Sequence, residues 1–221
     1  MNILGIDTAT AASAVCVLRE DGGAFEVEPS VEALGGPPAH SRELMPAVAH
    51  CLEEAGLGYA DLDAVAVGAG PGAFTGLRIG VATARGLALA NGVELRAVSS
   101  LAALALEIEA PAALPLIDAR RGQLFAALYS EGEERVPAFA ARPEEVAARI
   151  RETGTNPLAA GDGSVRFRDV LEKAGIRVAP AGSRIHVVRG LSVCRLAATV
   201  PATPPHDVLP DYLRLPDATP L

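Results

Sequence analysis

Leu4-Gly5-Ile6-Asp7, followed by Ser13-Ala14-Val15-Cys16-Val17-Leu18, is the stretch that decides the fold, because the chain repeats its pattern 111 positions later. The second copy is Pro115-Leu116-Ile117-Asp118, followed by Leu124-Phe125-Ala126-Ala127-Leu128-Tyr129. Each copy reads as an apolar strand ending in Asp, a small or polar turn, and a second apolar strand. A third strand follows each copy, near residues 23–28 and 134–139. A strand–turn–strand unit opening both halves of a 221-residue chain predicts a duplicated α/β fold of two lobes. The boundary is placed near residue 105, giving lobes 1–105 and 106–221.

Between the repeats, His40 to Ala55 has helical spacing, with Leu44, Val48, Cys51, Leu52 and Ala55 on one face. Asp63 to Gly68 reads as a short strand and Gly70-Pro71-Gly72 as a turn. A helix from Thr75 to Ala90 is ended by Asn91-Gly92. A strand follows at Glu94–Val98, and Ser99 or Ser100 caps a helix running to about Glu109. The second half reads as helices at Pro143–Glu152, Val165–Ala174 and Ile185–Ala198, with short strands near Leu158–Gly161 and Ile176–Val178. From Thr199 five prolines up to Pro216 mark irregular surface chain.

Half of the residues are hydrophobic and about a fifth are charged, enough to bury a core. The apolar stretches are broken by Gly, Arg or Asp before the roughly 20 residues that a membrane span needs. Met1-Asn2 leads straight into the first strand, so a cytoplasmic protein is expected. Cys16, Cys51 and Cys194 have neither disulfide-scaffold nor zinc-ligand spacing. Residues 1–100 hold 5 Arg/Lys against 12 Asp/Glu. A domain that grips nucleic acid alone shows a basic face instead.

The run Gly68-Ala69-Gly70-Pro71-Gly72-Ala73-Phe74-Thr75-Gly76-Leu77-Arg78-Ile79-Gly80 carries the most information. Glycine costs a helix interior about 0.8–1 kcal/mol relative to Ala, so Gly76 and Gly80 need a reason. Gly72, Gly76, Gly80, Ala84 and Ala88 are spaced by four and form one stripe. Such a stripe admits a close backbone, from either a partner's helix or the chain's own sheet. A glycine turn at a helix start also suits an anion, yet Leu77-Arg78 stands where a P-loop has Lys and Ser/Thr. Asp7 and Asp118 end equivalent strands, where actin-like nucleotide-binding folds place an Asp near metal-bound phosphate. Asp7, Thr8 and Asp118 are therefore a candidate vestigial nucleotide or anion site; the alternative is that each Asp caps local turn amides. His40, His50, His186 and His206 form no metal pair at helical spacing, and solvent-facing or capping roles are expected for them.

Together these motifs resemble the TsaB (YeaZ) family, a subunit of the machinery that makes threonylcarbamoyladenosine in tRNA. The resemblance is carried by Ile3-Leu4-Gly5-Ile6-Asp7-Thr8, by His40-Ser41-Arg42-Glu43-Leu44-Met45-Pro46 and by Gly70 to Gly80, with Ala73 where Ser is usual. Asp118-Ala119-Arg120-Arg121-Gly122 and Pro210-Asp211-Tyr212-Leu213-Arg214 complete it, and residues 140–205 are least diagnostic.

The resemblance implies an actin-like fold related to the catalytic subunit TsaD. It also implies pairing with TsaD through the helices at 41–55 and 75–90, and support for the ATPase TsaE. TsaD transfers a threonylcarbamoyl group from its adenylate to the adenosine next to the anticodon of tRNAs that read ANN codons. The metal-binding His-x-x-x-His pair of TsaD corresponds here to Ser100 and Leu104, neither a usable ligand. The implied role is a non-catalytic scaffold, without metal or cofactor of its own, touching tRNA only through the complex and pairing with itself when alone. ATP or ADP at a subunit junction is left open. The expected interface residues are Gly72, Gly76, Gly80, Ala84, Ala88, Arg78 and Arg85, with Leu44 and Val48. Two rivals stand beside this reading. An actin-like enzyme, kinase or metalloprotease-like, needs a glycine-rich turn after Asp7 or a metal cluster. A stand-alone homodimeric regulator would use the same stripe.

Overall fold

The computed structural model describes residues 1–213, so Arg214 of the terminal motif and Pro216 lie outside the described residues. Strands β1 (Ile3–Asp7), β2 (Ala14–Leu18) and β3 (Ala24–Val27) form a meander, followed by helix α1 (His40–Ala55). Strand β4 (Ala64–Gly70), helix α2 (Phe74–Asn91), strand β5 (Glu94–Ser99) and helix α3 (Ser100–Ala105) follow. The second half runs β6 (Ala112–Arg120), β7 (Gln123–Ser130), β8 (Glu133–Ala141), α4 (Pro143–Glu152) and β9 (Leu158–Ala160). It ends with α5 (Asp162–Arg166), α6 (Arg168–Lys173), β10 (Arg177–Val178) and α7 (Gly190–Ala197).

The duplication is plain in the pairing. The first sheet has the order β3-β2-β1-β4-β5 and the second β10-β9-β6-β7-β8, so each is the other read from the opposite edge. In each, the strand ending in Asp is central, antiparallel to the next strand and parallel to the fourth. This is the duplicated, two-lobed actin-like α/β fold.

Local chemistry explains most boundaries. Gly56 and Gly92 end α1 and α2 with φ of +66°, a backbone that costs a side chain strain and glycine none. Ser99 caps α3, its hydroxyl accepting from Ala102 N at 3.2 Å. Three expectations were too long, among them the helix over 185–198, of which α7 keeps only Gly190–Ala197. α3 stops at Ala105 rather than Glu109, since β6 already starts at Ala112 and Pro111 biases Ala110 away from helical geometry. The single helix expected over 165–174 breaks at Phe167, where φ is −110° and ψ 24°.

Three packed layers hold the sheets. α1 and α2 cover one face of the first sheet, through Leu44, Val48, Val81 and Ala84 on Leu4, Ile6 and Val67. Its other face meets α3 and α7, which share a core with Ile117 and Phe125 of the second sheet. α4 and α6 close the outer side of the second sheet, through Val146, Ile150 and Leu171. Two helices bridge the sheets on either side of residue 105. α7, placed in the second lobe by sequence, packs on β1 and β2. There a Cβ on Gly5 would stand 2.6 Å from Cys194 Sγ. α3, placed in the first lobe, touches β6.

The glycine stripe faces inward, which corrects the expectation that it meets a partner. A Cβ on Gly72 would lie 2.5 Å from Ala9 Cβ, and one on Gly76 or Gly80 would overlap Thr8. Ala84 and Ala88 are 0% and 1% exposed. Leu44 and Val48, also expected at an interface, are 2% and 0% exposed in the same core. Spacing by four marks a close approach without saying what approaches. Here it is the β1–β2 turn, which Ala73 N grips by donating to Ala9 O at 2.7 Å. Gly86 differs, since a Cβ there meets nothing within 4 Å. Gly76→Ala, which meets a backbone oxygen, is therefore expected to cost about 1–3 kcal/mol. Gly86→Ala should add up to about 1 kcal/mol through helix propensity. Thermal melts check both, and a Gly76→Ala midpoint at or above that of the unmodified chain would refute the packing.

Candidate functional site

Asp7 ends β1 at the centre of the first sheet and is 1% exposed. Its Oδ1 accepts from Ala9 N at 2.8 Å and its Oδ2 from Ser100 Oγ at 2.5 Å. Gly68 on the adjacent strand has no room for a Cβ beside this carboxylate. Burial pushes the Asp7 pKa up to about 6, against the pull of the Ser100 and Ala9 hydrogen bonds. Thr8 is also buried, and its hydroxyl donates to Gly76 O at 2.8 Å. Two of the three residues of the candidate vestigial site are thus engaged by the chain itself.

Asp118, their counterpart at the end of β6, lies elsewhere. Its Oδ2 accepts from Arg166 Nη1 at 2.7 Å and its Oδ1 from Arg120 N at 2.9 Å, while Arg120 Nη1 stands 3.3 Å away. Asp118 N donates to Asp162 Oδ1 at 3.0 Å. Burial raises the Asp162 pKa to about 6, and the nearby charge of Asp118 adds to the rise. These groups line a cavity of about 420 Å³ between residues 31–36 and the end of the second sheet, with Val31, Leu34 and Val165 as its apolar wall. Asp7 and Thr8 do not line it. Arg120 and Arg166 both lean on Asp118, so the cavity has no guanidinium reserved for an anion.

Ser100 and Leu104 are each 0% exposed, the first bonded to Asp7 and the second in the core between the sheets. Among the described residues no group of three or more His, Cys, Asp and Glu side chains is placed to hold a metal ion. Two histidines correct the expectation of surface or capping roles. His40 is 3% exposed with Nδ1 2.8 Å from Ser13 Oγ, and His186 is fully buried with Nδ1 accepting from Gly161 N. Burial lowers the pKa of both, which favours neutral rings. All three cysteines are free and buried. No helix among the described residues is long and apolar enough to cross a membrane.

What remains open to solvent is the outer face of α1 and α2. Arg78, Ala82, Gly86 and Leu89 of α2 are exposed and Arg85 is partly so, beside exposed Met45 and Ala49 of α1. Leu89 at 66% and Met45 at 43% are among the chain's few exposed large apolar side chains. Of the expected interface residues, only the two arginines belong to this face. Sequence reasoning passed over Phe74, 43% exposed at the start of α2, and Tyr212, which stacks on it. The glycine without an internal neighbour, Gly86, was the available signal.

Comparison with known proteins agrees with this architecture. A family model described as TsaD, tRNA N6-adenosine threonylcarbamoyltransferase, matches residues 36–203. The Bacillus subtilis tRNA threonylcarbamoyladenosine biosynthesis protein TsaB is 31% identical over 225 residues, covering 99% of this chain and 96% of that protein. The Escherichia coli protein of the same name is 33% identical over 185 residues, covering 80% and 78%. Among solved structures, YeaZ from Pseudomonas aeruginosa superposes with a TM-score of 0.77 at 29% identity, covering 96% of this chain and 99% of that one.

The Asp7 environment predicts a pH signature. With its pKa raised from 3.8 to about 6, the carboxyl holds its proton more tightly in the folded chain. The associated stability is fully present below about pH 4 and is lost as pH rises through about 6. Asp7→Asn keeps an acceptor for Ala9 N and a group for Ser100, and it removes this loss. Its stability relative to the unmodified chain should climb by up to about 3 kcal/mol between pH 4 and 8. Denaturant titrations across that range check this, and parallel pH profiles would contradict it.

Proposed function

Because the chain belongs to the TsaB (YeaZ) family, we propose that it is a non-catalytic scaffold subunit in tRNA threonylcarbamoyladenosine biosynthesis, bound to the threonylcarbamoyltransferase TsaD. The carrying observation is Ser100. The resemblance sets it where the transferase holds a metal-binding histidine, and here its hydroxyl closes on Asp7 inside the core. With Leu104 equally buried, the chain offers no donor pair for a metal-dependent carbamoyl transfer.

The partner docks on the outer face of α1 and α2. Gly86 and Ala82 let a second helix pair approach closely, Met45 and Leu89 supply apolar contact, and Arg78 and Arg85 supply direction. Without TsaD, the same face pairs with a second copy of this chain. The ATPase TsaE joins the assembled pair, and any ATP or ADP sits at a subunit junction rather than within this chain. The 5-to-12 imbalance of basic and acidic residues over 1–100 disfavours a direct grip on tRNA, which is reached through the complex. The work is done in the cytoplasm.

Titration calorimetry with the transferase subunit tests this role. The unmodified chain should bind, and Gly86→Leu should weaken binding about 5- to 150-fold by overpacking the interface. The variant's own melting temperature should hold or rise. Threonylcarbamoyl transfer by the chain alone, or absence of any association, would overturn the proposal.

A further inference from the structure

The terminal segment 209–213 lies against the start of α2. Asp211 N donates to Ala69 O at 2.7 Å, anchoring the segment beside the end of β4. That anchor sets the Tyr212 ring 5.2 Å from the Phe74 ring, tilted by 34°. The Tyr212 hydroxyl accepts from Arg78 Nε at 2.9 Å. The Arg78 guanidinium carbon also stands 3.7 Å from the centre of the Phe74 ring and 5.9 Å from that of Tyr212. The guanidinium is thus fixed by two rings and one hydrogen bond. Arg78 is exposed, and among the described residues no hydrogen bond or ion pair engages its Nη1 or Nη2.

An arginine already held in one rotamer loses little freedom on binding, and its open edge matches a carboxylate in a two-bond grip. Tyrosine and arginine are also the side chains that most often dominate protein interfaces. A phosphate would fit the same fork, but a nucleic acid would then approach a half-chain with 12 acidic and 5 basic residues. We propose that segment 209–213 is a clasp that fixes Arg78 as the anchor for a carboxylate on the partner protein. Tyr212 is then a positioning residue, acting through Arg78. The inference rests on the partner role proposed above and assigns that interface a chemistry.

The test is a double-mutant cycle by calorimetry with the full chain and the transferase subunit, using Arg78→Gln, Tyr212→Phe and both together. Arg78→Gln should weaken binding about 10- to 100-fold. Tyr212→Phe keeps the ring and loses only the hydroxyl, and should weaken binding about 3- to 10-fold. In the Arg78→Gln background Tyr212→Phe should cost nothing further, and neither variant should melt below the unmodified chain. Additive losses, or variants that bind like the unmodified chain, overturn the clasp and leave the scaffold role standing. Failure of the unmodified chain to bind overturns the scaffold role and the clasp with it. A gel shift with tRNA serves as the parallel arm. Arg78-dependent binding of tRNA by the chain alone would reassign the fork to phosphate and overturn the protein carboxylate.

Discussion

The outer layer of the molecule rests on how closely α2 lies against the β1–β2 turn. Thr8 fills the space that side chains at Gly76 and Gly80 would need, and its hydroxyl answers Gly76 O inside the helix. Ala73 N, at the start of α2, answers Ala9 O. These contacts set the α2 backbone against Thr8 and Ala9 with no side chain on the helix side at Gly76 or Gly80, a distance other residues there would not allow. Two consequences follow. The turn after Asp7 is occupied by the chain's own Thr8 and Ala9, packed against α2. The opposite side of α2 is thrust outward, with Arg78, Gly86 and Leu89 on display.

The lobes are bound to each other by exchange as well as by contact. α3 lies between β4 and β5 of the first sheet and β6 of the second, and α7 returns from the second half to cover β1 and β2. Edge strand β3 adds an electrostatic tie, since Glu26 pairs with Arg189, and Glu28 with both Arg189 and Arg184. The Glu26 side chain is only 6% exposed, so its pairing with Arg189 is screened far less than a surface bridge. Removing either partner would leave a shielded charge unanswered. A shared apolar layer and partly buried ion pairs favour a chain that moves as one body over one that opens and closes around a ligand.

Most of the architecture was legible because strand and helix signals here are local. The apolar strand ending in Asp recurs, the glycines that end α1 and α2 stand where a left-handed residue is needed, and His40–Ala55 keeps one apolar face throughout. The repeat at positions 4 and 115 identified two equivalent central strands before any pairing was visible. What was not legible was long-range. Period-four glycines report a close neighbour, and whether Thr8 or a foreign helix supplies it depends on a contact 68 residues away. The break at Phe167 has no glycine or proline to announce it. The placement of α7 on the first sheet depends on Gly5 and Gly190, which look ordinary in sequence and are small because each backs onto the other element.

Asp7 and Asp118 show how two repeats of a duplicated fold can answer the same carboxylate in different ways. A carboxylate that holds a cation or a metal-bound phosphate needs an uncommitted oxygen facing the ligand. Asp7 has both oxygens occupied, by Ala9 N and Ser100 Oγ, and no cation offsets its burial, so its proton is held up to about pH 6. Asp118 has both occupied as well, by Arg120 N and Arg166 Nη1. The first repeat answers its carboxylate with neutral donors, the second with the Arg120 amide and the Arg166 guanidinium. A larger side chain in place of Ser100 would need space that Gly68 and Asp7 already fill, so substitution there calls for repacking around it. Among the described residues the Asp7 and Asp118 carboxylates are answered by the chain's own donors, whereas His40 Nε2 is buried without a hydrogen-bond partner, so close packing of α1 and α2 on the β1–β2 turn is kept even where it leaves a ring nitrogen unanswered.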